Sequence, residues 1–560
     1  MNNILDIANV STPKSNSEHQ MNTADLLIKC LVNEGVKCIF GIPGEENLDL
    51  IRAISNSPIK FITTRHEQGA AFMADVYGRL TGTAGVCMAT LGPGATNLMT
   101  GVADANLDGS PLIAITGQVG TDKMHITSHQ YLDLREMFEP ITKRSKQVVR
   151  PDTVAEIVRL AFKYAESEKP GAVHIDLPNN IAKMPVSGEP LEKNLPLEEI
   201  AAPKNIEKAA EAINLAKCPV IIAGSSAMRS NASKAITCFA EQLHIPVVNT
   251  MMCKGIVPRD SRYAIGTIGI PQKDYINKLF EVSDLVIGIG YDLVEYAPQK
   301  WNKSTKPNVV HIGIKAADIN KNYQTVAQVV GNIADSLYKI LEKVSPKAEP
   351  SYAFSIKSKI ETEQQQYTND NSFPMKPQRI VSDIRKVMGK EDILLSDVGA
   401  HKIWIARNYN CYCPKTCIIS NGFASMGISI PGAVAAKLVH PERKVLAVTG
   451  DGGFLMNSQE LETAVRIGTP FVTLVWNDGS YGLIKWKEMN YFHKTACVDF
   501  SNPDFVLYAQ SMHCKGYRIE HAQDLIPTLE DAFKQKVPSV IDCRVDYREN
   551  YLLSERLKNL

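Results

Sequence analysis

Long apolar runs are missing from this chain: no stretch of 18 or more apolar residues occurs, so no membrane-spanning helix is expected. An excess of either charge is missing too. The 61 basic and 60 acidic side chains leave a net charge of +1, too little to form an electrostatic footprint for nucleic acid or an anionic membrane. Residues Met1 to Gln20 are polar and carry neither a signal-peptide core nor an Arg-rich transit character, which predicts a cytoplasmic location. A disulfide pattern is absent: the 12 cysteines are scattered, and Cys30, Cys38 and Cys87 fall inside apolar runs, as reduced core thiols do. Cys411, Cys413 and Cys417 lie close together, but no fourth ligand has zinc spacing. A third glycine is missing after Gly288-Ile289-Gly290, where position 293 is Leu, so the dinucleotide fingerprint is incomplete. What remains as the expected partner is a small molecule.

The 560 residues are too many for one core and suggest about three domains, and 44% hydrophobic content supplies them well. After a flexible N-terminus (1–20), residues 21–190 alternate short apolar strands with helical stretches, among them Val86-Cys87-Met88-Ala89-Thr90 and Leu112-Ile113-Ala114-Ile115-Thr116. Residues 200–343 repeat the style with Pro219 to Gly224 and Asp284 to Gly290. A charged, Ser- and Gln-rich linker (344–375) leads to a third such segment (376–547) and a tail (548–560). The expected fold is α/β, with three consecutive doubly wound parallel-sheet domains.

The third segment holds the most informative pattern. Val445 to Thr449 is an apolar run ending at Gly450-Asp451-Gly452-Gly453, and Phe471 to Trp476 is a second run ending at Asn477-Asp478-Gly479. The helical stretch Glu460 to Arg466 between them makes a β-α-β unit, whose right-handed crossover brings the two strand ends side by side. Asp451 and Asp478 therefore converge where parallel sheets bind ligands. Magnesium shares its oxygen ligands between one or two carboxylates and bound phosphates, and this spacing can supply the carboxylates. A lone Gly-Asp-Gly is usually a plain strand-end turn; the second acidic pair at this distance is what raises it above that.

On these residues the chain resembles the thiamine-diphosphate enzymes, whose signature is Gly-Asp-Gly followed about two dozen residues later by Asn-Asn or Asn-Asp. The resemblance implies thiamine diphosphate and Mg2+ as cofactors, with the metal on Asp451, Asp478 and the carbonyl of Ser480. It names the first domain pyrimidine-binding and the third diphosphate-binding. Arg65-His66-Glu67-Gln68 opens a helix, and a carboxylate there is equally at home as a helix-start residue. The family places in such a triplet the buried, protonated glutamate that bonds the cofactor's pyrimidine ring, which makes Glu67 that group. Leu91 to Asn97 matches the family's Gly-Pro-Gly turn, so Gly92 and Asn97 join the pyrimidine end. By the same resemblance, Val398, Gly399, Ala400 and His401 line the diphosphate with Gly452, Gly453, Tyr481 and Gly482. Ser420 to Gly427 supplies Gly422, Ala424 and Met426, the last as the apolar support that bends the cofactor. The family's sites lie between subunits, implying a homodimer or homotetramer.

Over nearly its whole length the chain is most similar to the catabolic, flavin-free acetolactate synthases, through Gly117-Gln118-Val119, His129-Gln130, Glu460 to Arg466 and Ile289-Gly290-Tyr291-Asp292. That implies the condensation of two pyruvates to 2-acetolactate and CO2, with Gln130 and His129 orienting the second substrate and FAD not expected. Two departures point to an alternative. Glu45, after Ile42-Pro43-Gly44, stands where those synthases have a small residue, and an acid there can deliver the proton that releases an aldehyde. Lys485-Trp486-Lys487 adds paired cations, and Lys487 can bind a distal carboxylate, as decarboxylation of 2-oxoglutarate to succinic semialdehyde requires. An inactive regulatory relative is disfavoured by intact Glu67, Asp451 and Asp478, and pyruvate oxidase by the expected lack of flavin.

Overall fold

The computed structural model describes residues 20–193, 199–269, 274–304 and 306–558, so nearly all of the flexible N-terminus expected at 1–20 lies outside the described residues. Three six-stranded sheets follow one another along the chain, and every strand pair in them is parallel. Parallel strands need helical crossovers that cover both faces, which is why runs such as Leu112–Gln118 and Ala172–Pro178 are buried at every position. Among the described residues no helix is long and apolar enough to cross a membrane.

In the N-terminal sheet the spatial order is Lys60–Thr63, Cys38–Gly41, Gly85–Ala89, Leu112–Gln118, Ala172–Pro178, Arg144–Gln147. The C-terminal sheet repeats that order one for one: Cys417–Ile419, Ile393–Ser396, Val445–Gly450, Val472–Asn477, Ser539–Arg544, Lys515–Arg518. In the central sheet the order is Thr325–Val330, Val309–Gly313, Leu285–Ile289, Pro219–Ala223, Val247–Asn249, Ala264–Thr267. The central order reverses once and the other two reverse twice, and a reversal opens a crevice outside the carboxyl ends of two neighbouring strands. In the C-terminal sheet those strands are Ile393–Ser396 and Val445–Gly450, the second of which ends at Asp451.

The first and third domains share one core. Helix Glu67–Thr81 lies between helix Pro93–Asp108 of its own domain and helix Ser429–Val439 of the C-terminal domain, and Phe72, Val76, Ala433, Val434 and Phe454 are buried together. Glycines set the distances. A Cβ on Gly101 would sit 2.5 Å from that of Ala71, and one on Gly432 would sit 2.9 Å from a methyl of Val76. The central domain is tied on by charge: Arg407 Nε lies 2.9 Å from Asp274 and its Nη2 lies 2.7 Å from Glu363, with the Arg407 side chain only 3% exposed.

Two stretches expected as linker and tail contain ordered helices. Ser351–Gln366 buries Ala353, Ile356 and Ile360 on one face against the central domain's core. Arg548–Lys558 docks on the C-terminal domain, where Asn550 accepts from Trp404 Nε1 at 2.7 Å and Ser554 accepts from Trp486 Nε1 at 2.8 Å.

Candidate active site

Strands Val445–Gly450 and Val472–Asn477 are paired neighbours, with Gly450 opposite Trp476, so the acidic residues that follow them meet. Asp451 begins helix Asp451–Asn457 and accepts four hydrogen bonds: from Gly452 N–H on Oδ1 (2.9 Å), and on Oδ2 from the N–H groups of Asp478 (3.2 Å) and Gly479 (2.6 Å) and from Asn502 Nδ2 (2.7 Å). Asp478 accepts from Ser480 Oγ at 2.5 Å. Gly479 makes the turn between them at φ +65°, a conformation that favours glycine. Burial pushes both carboxyls up, Asp478 to about 7 with the neighbouring Asp451 adding to it. Two adjacent, desolvated carboxylates are what a divalent metal would relieve, and the nearby Lys485, which acts on Asp478, is paired with Asp499. Among the described residues no three His, Cys, Asp or Glu side chains converge as a metal site, so a metal on this pair would complete its shell with other oxygens, from backbone, amide, water or phosphate.

Around this pair the crevice keeps polar atoms without partners. His401 is buried with Nε2 unbonded, and burial lowers it to about 3, so it presents a neutral ring. Asn502 Oδ1 and Ser429 Oγ are likewise buried and unbonded. Asp397, at the end of strand Ile393–Ser396, accepts from Val398 N–H (2.7 Å), Gly427 N–H (2.9 Å) and Ser429 N–H (3.1 Å), which folds the loop 420–427 over the crevice. Gly399 sits between the crevice and the His401 ring, where a Cβ would approach within 2.7 Å. Tyr481 packs edge-on to Phe500 and shields Gly452, while Gly482 is backed by Tyr547. Ala424 adopts φ +59°, and Met426 is half-buried.

The second cluster lies at the carboxyl ends of the N-terminal sheet. Glu67, only 8% exposed, begins helix Glu67–Thr81 and accepts from Asn97 Nδ2 at 3.0 Å. Gly94 brings the Pro93–Asp108 helix against it, since a Cβ there would sit 3.4 Å from Glu67 Oε1. Gln130, at φ +56°, hangs over Gly92, whose missing Cβ would meet the Gln130 carbonyl at 2.8 Å. His129 beside it is exposed. Glu45 is exposed at the start of the turn Glu45–Asn47; the acid tied into the crevice is its neighbour Glu46, which accepts from Thr90 Oγ1 at 2.8 Å. Lys485 is paired with Asp499 at 2.7 Å, whereas Lys487 is exposed.

Spacing alone missed several groups at these sites. Asn502 reaches Asp451 from a loop outside the β-α-β unit, and its Asn-Pro turn carries no signal of that role. Glu460, fully buried, accepts from the N–H groups of Arg65 (3.1 Å) and His66 (3.0 Å) and from Thr463 Oγ1 (2.7 Å), so a C-terminal-domain carboxylate braces the turn ahead of Glu67. Asp104 and Asp108 do the converse for the loop 420–427.

Comparison with known proteins agrees with this geometry. The chain matches three family models: the N-terminal TPP binding domain of thiamine pyrophosphate enzymes at residues 21–143, their central domain at 206–340 and their C-terminal TPP binding domain at 397–543. It is 36% identical over 553 residues to an acetolactate synthase of Bacillus subtilis, covering 95% of each chain. It is 36% identical over 544 residues to the catabolic acetolactate synthase of Raoultella terrigena, covering 95% of this chain and 97% of that one. A probable acetolactate synthase large subunit of Methanocaldococcus jannaschii is 35% identical over 561 residues, covering 94% of this chain and 93% of that one.

Proposed function

We propose, for a chain that belongs to the thiamine pyrophosphate enzymes, that it is an acetolactate synthase, condensing two molecules of pyruvate to 2-acetolactate with release of CO2. The observation that carries this is full-length similarity to acetolactate synthases in a chain that retains both Glu67 beside Asn97 and the Asp451–Asp478 pair. Bound thiamine diphosphate supplies the electron sink for loss of CO2 from a 2-oxo acid.

The protein's part is to hold and orient. Asp451, Asp478 and the Ser480 carbonyl would hold Mg2+, with Gly452, Gly453, Tyr481, Gly482 and the Val398–His401 turn against the diphosphate. Unpartnered His401 Nε2 and the desolvated carboxylate pair support that fit. Glu67 and Asn97 would hold the pyrimidine, Gly92, Gly422 and Ala424 would leave room for it, and Met426 would pack against it. Gln130 and His129, on the loop above Gly92, orient the second 2-oxo acid. Glu45 and Lys487 border the substrate side. No residue of this reading calls for FAD.

Each chain contributes its pyrimidine-binding domain to one site and its diphosphate-binding domain to another, so the active unit is a homodimer or homotetramer. Exposed apolar side chains around the diphosphate crevice support this: Phe423 at 42%, Tyr481 at 41% and Ile484 at 48%. A small polar substrate and the lack of a membrane-crossing helix among the described residues fit a cytoplasmic enzyme.

The test is product analysis with purified protein, thiamine diphosphate and Mg2+, offering pyruvate and 2-oxoglutarate separately and identifying the products by mass spectrometry. Acetolactate from pyruvate is expected, and Glu67→Gln is expected to abolish it with the fold intact. Succinic semialdehyde from 2-oxoglutarate with little acetolactate would overturn the assignment in favour of a decarboxylase using Glu45 and Lys487.

A further inference from the structure

Loop 420–427 is irregular, carries a non-glycine residue in the left-handed region, and borders the crevice on one side, so its backbone N–H groups must find partners on the other. They find two carboxylates of helix Pro93–Asp108. Asp108 Oδ1 accepts from Gly422 N–H at 2.5 Å and from Phe423 N–H at 3.3 Å, and its Oδ2 accepts from Asn421 N–H at 3.3 Å. Asp104 Oδ1 accepts from Ser420 Oγ at 2.8 Å and from Ser425 N–H at 3.3 Å. A single guanidinium locks both acids: Arg79 Nη2 lies 2.9 Å from Asp104 Oδ2 and 2.8 Å from Asp108 Oδ2. Arg79 is itself held by Asp75, one helical turn back, at 2.7 Å. On the loop side Lys402 Nζ donates to the Ser420 carbonyl and to Asn421 Oδ1, both at 3.2 Å. Asp75, Asp104 and Asp108 side chains have no solvent exposure.

We propose that Asp104 and Asp108, clamped by Arg79, are positioning residues that fix loop 420–427 in its cofactor-binding shape. The proposal rests on the reading of Gly422, Ala424 and Met426 as the pyrimidine-holding loop. Two carboxylates spaced one turn apart present three oxygens to the loop's donors and the fourth to Arg79, and a charged acceptor holds an N–H more tightly than a carbonyl does. The Gly422 site is shaped for the contact, since a Cβ there would fall 2.6 Å from Asp108 Oδ1. Because the diphosphate end is held separately by Asp451 and Asp478, the clamp sets affinity for the whole cofactor without setting affinity for its diphosphate.

The experiment is Asp108→Asn in the full-length protein, titrated with thiamine diphosphate and, in parallel, with magnesium pyrophosphate as a probe of the diphosphate end alone. An amide in place of the carboxylate turns one N–H against either Arg79 or Gly422 N–H. The half-saturating concentration of thiamine diphosphate is expected to rise roughly 10- to 100-fold, with magnesium pyrophosphate affinity unchanged and the far-UV spectrum intact. Asp383→Asn, which removes a buried carboxylate paired with Arg379 and touches neither the loop nor Arg79, is expected to leave both affinities near wild type. Ser420→Ala, a milder loss on Asp104, is expected to raise the thiamine diphosphate value severalfold and serves if Asp108→Asn does not fold. Equal losses for both ligands, equal losses in Asp383→Asn, or an unchanged Ser420→Ala would overturn the clamp while leaving the site reading in place. Wild-type protein that binds magnesium pyrophosphate but not thiamine diphosphate would overturn both.

Discussion

Glu460 is the group whose replacement separates charge from hydrogen bonding in the brace ahead of Glu67. Its carboxyl is fully buried and accepts three hydrogen bonds, yet burial outweighs them and, with Glu462 nearby, pushes it up from 4.5 to about 7. A carboxyl whose folded value exceeds its unfolded value gives full stability below the unfolded value and loses it as pH rises through the folded one. Glu460 therefore costs stability progressively between pH 4.5 and about 7. At about 1.4 kcal/mol per unit the full cost is about 3 kcal/mol at pH 8. Glu460→Gln keeps Oε1 for the Arg65 and His66 N–H groups, and the Thr463 hydroxyl can turn to accept from the new amide. The variant is thus expected to be more stable than wild type at pH 8, by up to about 3 kcal/mol, and equal to it near pH 4.5. Glu460→Ala, which leaves two partly buried N–H groups unpaired, is expected to be less stable than wild type at pH 8 by about 1 kcal/mol or more and to lose turnover as the Glu67 turn loosens. Denaturation midpoints of the three proteins across pH 4.5 to 8 decide the matter. A Gln variant less stable than wild type at pH 8 would refute the reasoning, because it would show that the charge itself, set at a helix start, is net favourable there.

Asp478→Ala removes one of the two side-chain oxygen ligands proposed for Mg2+, and is expected to raise the Mg2+ needed for half-maximal activity on the order of 100-fold; metal titration of activity after chelation checks it. Arg407→Met leaves Asp274 as an uncompensated buried acid between the central and C-terminal domains, while Glu363 keeps Arg556 at 3.2 Å, and is expected to cost about 3 kcal/mol of stability. Guanidinium denaturation read by tryptophan fluorescence measures this, since Trp404 shares the helix that carries Arg407.

The strands were readable because parallel sheets bury both faces: Val445 to Thr449 and Leu112 to Thr116 are unbroken apolar runs, and the observed strands Val445–Gly450 and Leu112–Gln118 follow them to within two residues. The convergence of Asp451 and Asp478 was readable for the same reason, since one crossover leaves little choice about which strand ends adjoin. Helix Ser351–Gln366 was hidden because its buried stripe is only Ala353, Ile356 and Ile360 among charged and amide side chains. The braces were beyond reach. Glu460 and Arg65 are 395 positions apart, and nothing local in either segment names the other. Glu46 rather than Glu45 meeting Thr90 turns on one residue of rotation in a short turn, a detail finer than any periodicity.

The identical strand order of the first and third sheets explains why those braces exist. Both domains offer a crevice at the same topological position, and in both the segments lining it must turn some backbone N–H groups away from their own sheet. A segment that faces ligand on one side cannot satisfy those groups from its own domain without closing the crevice. The other domain supplies the acceptor instead: Glu460 of the third domain for the turn before Glu67 of the first, and Asp104 and Asp108 of the first for the loop carrying Gly422 of the third. The shared core of small residues between helices Glu67–Thr81 and Ser429–Val439 is the condition for this exchange, because only a close approach brings a buried carboxylate within reach of a neighbour's backbone. The same packing that stabilises the chain thus shapes both crevices.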